Sequence, residues 1–77
     1  MMRIDIKKKA EKFLDKLSAK DKARIVKAIY KLPNGDIKPL QGEDGFRLRV
    51  GDWRIVYDII GDEIIIYDIG NRGDIYK

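Results

Sequence analysis

A chain of 77 residues has room for one small domain, close to the lower limit for a self-sufficient core. It contains no Cys and no His, which excludes a disulfide framework, a thiolate metal site and a histidine proton shuttle, so catalysis would have to run on Arg, Lys, Tyr and carboxylates. The net charge of +4 favours acidic partners such as nucleic acid, but only weakly by itself.

Met2 to Ile6 alternates and reads as a short first strand. Ala10, Phe13, Leu14 and Leu17 then follow the i, i+3, i+4, i+7 spacing of a one-sided helix. Ser18, with Asp21 three residues on, opens a second helix in the manner of a capping box. Its apolar positions are Ile25, Ala28, Ile29 and Leu32, and Pro33-Asn34-Gly35 stops it. These read as two antiparallel helices with their Lys outward. A loop through Pro39 and Gly42 follows, and the period changes to two. Phe46, Leu48 and Val50 alternate with Arg47 and Arg49; Gly51-Asp52 has the Gly-first pattern of a type II′ hairpin turn. Trp53, Ile55, Tyr57 and Ile59 are the apolar positions of the next strand, and Gly61-Asp62 turns the chain into Glu63 to Ile69. A tail, residues 70–77, completes it. The sum is an α+β fold, β-α-α-β-β-β, with two helices on one face of a mainly antiparallel sheet, and residues 1–77 read as a single domain.

The opening Met1-Met2-Arg3-Ile4-Asp5-Ile6 lacks the apolar core of a signal peptide, and the longest apolar run, Ile64-Ile65-Ile66-Tyr67, is too short to span a bilayer. The expectation is a cytoplasmic protein without a membrane partner.

The cations are sorted. Nine of the eleven Lys lie in residues 1–35, which hold 11 basic and 4 acidic side chains; four of the six Arg (Arg47, Arg49, Arg54, Arg72) lie in the net-acidic remainder, with 6 basic and 9 acidic. Arg grips phosphate or carboxylate with two parallel hydrogen bonds, which Lys does not do. With Gly51-Asp52 as the turn, Val50 faces Trp53, Arg49 faces Arg54, Leu48 faces Ile55 and Arg47 faces Val56. Arg47, Arg49 and Arg54 then share the face away from the core and are expected to be exposed. Alternating Arg is ordinarily the wet face of a one-sided sheet. Like charges directly opposed destabilise a strand pair, so Arg54 opposite Arg49 argues instead for an anion that binds there. Trp53 and Tyr57 read as core residues rather than stacking platforms, and the helical Lys as a solvated face, with Lys7 to Lys9 adding long-range attraction to RNA. Asp58 and Asp68 form a carboxylate pair whose spacing specifies no metal. Strict pairing in the second hairpin would put Asp68 opposite Ile55 on the core side, a conflict that a bulge near Tyr67 relieves.

Lys38-Pro39-Leu40, the run Gly45 to Tyr57 and the closing Ile69-Gly70-Asn71-Arg72-Gly73-Asp74-Ile75-Tyr76 together resemble the RelE/ParE superfamily of toxins, in motif and in element order. The resemblance implies a toxin of a type II toxin–antitoxin system. RelE-type members enter the ribosomal A site and cut mRNA there without a metal or other cofactor: the 2′-OH attacks the adjacent phosphate. ParE-type members share the fold, act on DNA gyrase and lack the basic cleavage residues. Carried over residue by residue, Arg47, Arg49, Arg54, Arg72 and Tyr76 are the implied catalytic residues. The implied partners are a cognate antitoxin, the ribosome with its rRNA, and mRNA. Three positions depart from the RelE pattern: Arg stands at 47 and 49 where many relatives have Lys, and Asn71 where many have His. Arg is never deprotonated in proteins, so the resemblance assigns Arg47 and Arg49 to electrostatic stabilisation rather than to base catalysis. The alternatives are a ParE-like gyrase inhibitor, an inactive binding relative, or a generic RNA-binding module.

Overall fold

A computed structural model describes residues 3–71. The elements run β1 (Arg3–Ile6), α1 (Lys8–Asp15), α2 (Ala19–Tyr30), β2 (Asp36–Pro39), β3 (Phe46–Val50), β4 (Trp53–Ile60) and β5 (Glu63–Asn71). The five strands form one sheet in the order β1-β5-β4-β3-β2. Among the described strands only β1 pairs parallel, beside β5; the other pairings are antiparallel.

The helices form where the apolar spacing places them. In α1 the buried side chains are Ala10 and Leu14, and in α2 they are Ile25 and Ile29. The Ser18 hydroxyl accepts the Asp21 backbone N–H at 3.2 Å, satisfying one of the orphan donors at the start of α2. Replacing Ser18 by Ala is expected to cost about 1 kcal/mol, read as a lower urea midpoint at unchanged m-value. An ion pair between Lys22 and Asp15, 3.5 Å apart, links the two helices across their short connection. Both helices close over one side of the sheet, packing with Leu48, Ile55, Tyr57, Ile64, Ile66 and Ile69 in a single cluster.

The first hairpin has the register expected from its turn: Val50 faces Trp53, Arg49 faces Arg54, Leu48 faces Ile55 and Arg47 faces Val56. Gly51 sits at φ +57 with Asp52 outside the left-handed region, the φ pattern of a type II′ turn, which matches the twist of the strands it joins. The second hairpin carries a register shift between Val56 and Tyr57. Tyr67 is the extra residue of a bulge, and Asp68 moves to face Val56 while Ile69 faces Ile55 in the core. The conflict set up by strict pairing is resolved in this way, because a bulge resets the alternation by one residue.

Two expectations need correction. Residues 36–39 are not loop but β2, paired with β3 as Asp36–Arg49, Ile37–Leu48, Lys38–Arg47 and Pro39–Phe46. The strand is a sheet edge, where Pro is tolerated because its missing N–H can face away from the ladder. The chain is therefore β-α-α-β-β-β-β. Arg54, expected to be exposed, is buried at 8% exposure. Alternation assigns a side chain to a face but not to a depth: β4 is the middle strand of the five, flanked on both sides, whereas Arg47 and Arg49 lie on β3 next to the edge strand. Ile65, also off the core face but on the interior strand β5, is buried as well.

Candidate functional site: a cationic sheet face

The face of the sheet away from the helices carries two rows of cations. Arg49 and Arg54 oppose each other across β3 and β4, and two residues along β3 Arg47 stands opposite Lys38 of β2. The rows are about 7 Å apart, two residues of strand rise. Asp36 stands on the other side of Arg49, so one carboxylate relieves a row that the hairpin alone left unrelieved. Asp68 ends the second row opposite Val56, and Lys38, Arg47, Arg49 and Arg54 against Asp36 and Asp68 leave the two rows at +2.

The cations differ in setting. Arg49 is exposed, Arg47 half-buried and Arg54 buried, with the Nε and Nη1 atoms of Arg54 out of reach of solvent. An exposed guanidinium is screened by water and salt. A buried one acts through a lower effective dielectric and is held in place before any ligand arrives. Gly70, directly opposite Arg54 on β5, presents no side chain beside it. Of the five expected site residues, the structure thus brings Arg47, Arg49 and Arg54 onto one face. Arg72 and Tyr76 lie outside the described residues.

The remaining candidates have structural employment. Asp58 accepts the Ile59 backbone N–H at 2.8 Å and Asp68 accepts that of Ile69 at 2.9 Å. Asp68 also pairs with Lys9 of α1 at 3.2 Å. Tyr57 is fully buried and stacks on Phe46 with ring centroids 5.6 Å apart, and Trp53 is half-buried against the core. Arg24 of α2, which carries no motif signal, lies with its guanidinium 5.9 Å from the Trp53 ring centroid. Cation–π attraction at this distance holds α2 over the tip of the hairpin. Lys38 escaped the sequence reading because its strand did; the signal available was the alternation of Asp36-Ile37-Lys38.

Comparison with known proteins decides the family. The family described as ParE toxin of type II toxin–antitoxin system, parDE, matches residues 4–76. The chain belongs to that family. Solved structures agree. The toxin is similar to a chain of the archaeal RelE–RelB complex from Pyrococcus horikoshii OT3, at 25% identity and TM-score 0.76 over 95% of this chain and 97% of that one. It is similar to a chain of the RelB–RelE antitoxin–toxin complex from Methanococcus jannaschii at 28% identity and TM-score 0.77, covering 94% of each. A chain of the RelBE2 toxin–antitoxin complex from Mycobacterium tuberculosis matches at 25% identity and TM-score 0.78, over 92% of this chain and 98% of that one. No curated protein matches by sequence. Two helices on a five-stranded, mostly antiparallel sheet are the RelE-like fold. Among the described residues of the toxin, no helix is long and apolar enough to cross a membrane.

Proposed function

We propose that this toxin is a ribosome-dependent endoribonuclease that cleaves mRNA in the A site. The observation that carries the proposal is the paired cations on the sheet face opposite the helices, with Arg54 buried at its centre. In the reaction the 2′-OH of one nucleotide attacks the adjacent phosphorus. The O2′–P bond forms and the P–O5′ bond breaks, leaving a 2′,3′-cyclic phosphate and a free 5′-OH. The phosphorane passed on the way carries more negative charge than the diester, and fixed donors aimed at that charge lower the barrier. Arg49 and Arg54 supply such donors at the scissile phosphate, and Arg47 supplies another two residues away. None of the three can take a proton, so proton transfer falls to other groups: Tyr76 manages a proton or orients a base, and Arg72 holds the phosphate or protonates the leaving oxygen. The ribosome holds the mRNA in the reactive geometry, the positioning that a site without His requires. A cognate antitoxin that covers the Arg face would silence the toxin by occupying the phosphate site, and the compartment that holds ribosomes, mRNA and antitoxin is the cytoplasm.

Induced expression is expected to arrest translation and to leave mRNA cut at codon positions within ribosomes. Arg49→Ala, at an exposed position, is expected to lower cleavage by about 10²-fold at unchanged melting temperature. Arrest with intact mRNA would overturn the proposal. The match to the ParE family favours a second reading, inhibition of DNA gyrase; a DNA-damage response without mRNA cleavage would establish it instead.

A further inference from the structure

Beside the Arg face lies an open cavity of about 500 Å³, lined by Lys38, Pro39, Leu40, Gln41, Glu43 and Arg47. Its size falls in the range of small-ligand sites. No step of the proposed cleavage uses Pro39, Leu40, Gln41 or Glu43.

The cavity has a fixed wall. The chain between β2 and β3 folds back on itself, and the Leu40 N–H donates to the Gly45 carbonyl at 3.0 Å. Gly45 sits at φ +116, and a Cβ there would come within 3.0 Å of the Tyr57 carbonyl oxygen. The foot of the loop thus rests hard against β4, in a conformation and a space that only Gly fits without strain. Lys38 and Arg47, paired across β2 and β3, add two cations to the cavity's lining.

We propose that this cavity receives a single unpaired nucleobase of the RNA strand whose scissile phosphate lies at Arg49 and Arg54. The inference rests on the endoribonuclease reading and adds a base-reading subsite to it. Lys38 and Arg47 form the second cationic row, one nucleotide's reach from the first, and hold the neighbouring phosphate. Pro39 and Leu40 offer an apolar surface to the face of a base, and Arg47 a guanidinium plane beside it. Gln41 presents both a donor and an acceptor, while the Glu43 carboxylate accepts only. A base with an exocyclic amino group suits that pair: cytosine through N4, adenine through N6 and N7, or guanine through N1 and N2. Uracil has no amino group and turns a carbonyl toward Glu43, so it is disfavoured. An acidic peptide is the poorer fit, because Glu43 would repel it.

The test is an NMR titration of the full ¹⁵N-labelled chain with 2′-O-methyl trinucleotides of A, C or U, which cannot be cleaved. Amide shifts are expected in residues 38–47, with A or C binding about tenfold tighter than U, about 1.4 kcal/mol. Glu43→Gln is expected to erase the preference by raising the affinity for U, since the amide can accept from an exocyclic amino group or donate to the uracil carbonyl. Absence of shifts at 38–47, or equal affinity for all three, overturns the subsite. Shifts there with a Glu-rich peptide but none with the trinucleotides overturn it too and make the cavity a protein-docking site. A ribosome assay separates the two readings. Cleavage of programmed mRNA without base preference in the titration overturns the subsite alone; preference without cleavage overturns the endoribonuclease alone.

Discussion

Arg54→Met is expected to abolish mRNA cleavage, by about 10²–10³-fold or more, while leaving the toxin folded. Arg54 sits on the middle strand at 8% exposure, with its Nε and Nη1 shielded from water. In that setting its charge acts through a lower dielectric than that of Arg47 or Arg49, and it needs no reorganisation when charge develops on a phosphate. The same burial makes Ala the wrong variant to interpret. Truncating a long buried side chain leaves a cavity whose cost is independent of catalysis, so lost activity and lost structure would be confounded. Met keeps an unbranched chain of similar reach and removes the charge. Arg54 takes part in an interaction within the fold, and removing one member of a buried pair costs stability, so the melting temperature is expected to fall and cleavage is compared at a temperature where the variant is still folded. Arg54→Lys keeps a charge but loses the planar fork, and is expected to recover only part of the cleavage. If Arg54 served the fold alone, the Met variant, assayed while folded, would cleave as well as the wild type. That result, read in a ribosome-programmed cleavage assay beside a thermal melt, removes Arg54 from the site.

Arg54 also marks where the sequence stops being informative. Periodicity and turn chemistry are local, and what depends on them was legible: the two helices, the Ser18 cap, the Gly51-Asp52 turn with its pairing, and the bulge that returns Ile69 to the core. The face on which Arg47, Arg49 and Arg54 lie followed from the same alternation. How deep each one sits did not, because depth depends on strand order, and the order β1-β5-β4-β3-β2 is not local. β2 was hidden for a different reason. It has four residues, ends in Pro39 and is followed by a loop with two Gly, so its breakers outweigh one apolar residue, Ile37. Missing it had a consequence for the site. Asp36 beside Arg49 and Lys38 opposite Arg47 appear only once β2 is placed, and with them the second cationic row and the cavity next to it. The hairpin read alone held three Arg and overstated their mutual repulsion.

Tyr57→Ala is expected to leave the chain largely unfolded. Tyr57 is 1% exposed on the middle strand, stacks on Phe46, borders the register shift of β4 against β5, and carries the carbonyl against which Gly45 rests. Truncating a buried aromatic residue costs about 3–5 kcal/mol. A 77-residue chain holds about 4–12 kcal/mol in total, at roughly 0.05–0.15 kcal/mol per residue, so this one change removes a large share or all of it. A cooperative melt close to that of the wild type would show that the sheet does not depend on this ring. Tyr57→Phe keeps the ring and isolates the hydroxyl. Burial pushes the Tyr57 hydroxyl above its ordinary pKa of 10.0, because desolvation penalises the phenolate. Below pH 10 the hydroxyl is neutral in both states and stability is unaffected by its titration. As pH rises past that value the unfolded chain ionises first, binds fewer protons than the folded one, and is favoured. Stability from this residue is therefore full below about pH 10 and is lost as pH climbs toward the raised folded value. Lys7, whose pKa Asp5 raises through a hydrogen bond, acts in the same direction but is exposed and present in both proteins. Urea unfolding at pH 8 and pH 11 should thus show a smaller alkaline loss for Tyr57→Phe than for the wild type. Equal losses would mean that the hydroxyl reaches solvent in the folded state, contrary to the closed core around Ile55, Ile66 and Leu48.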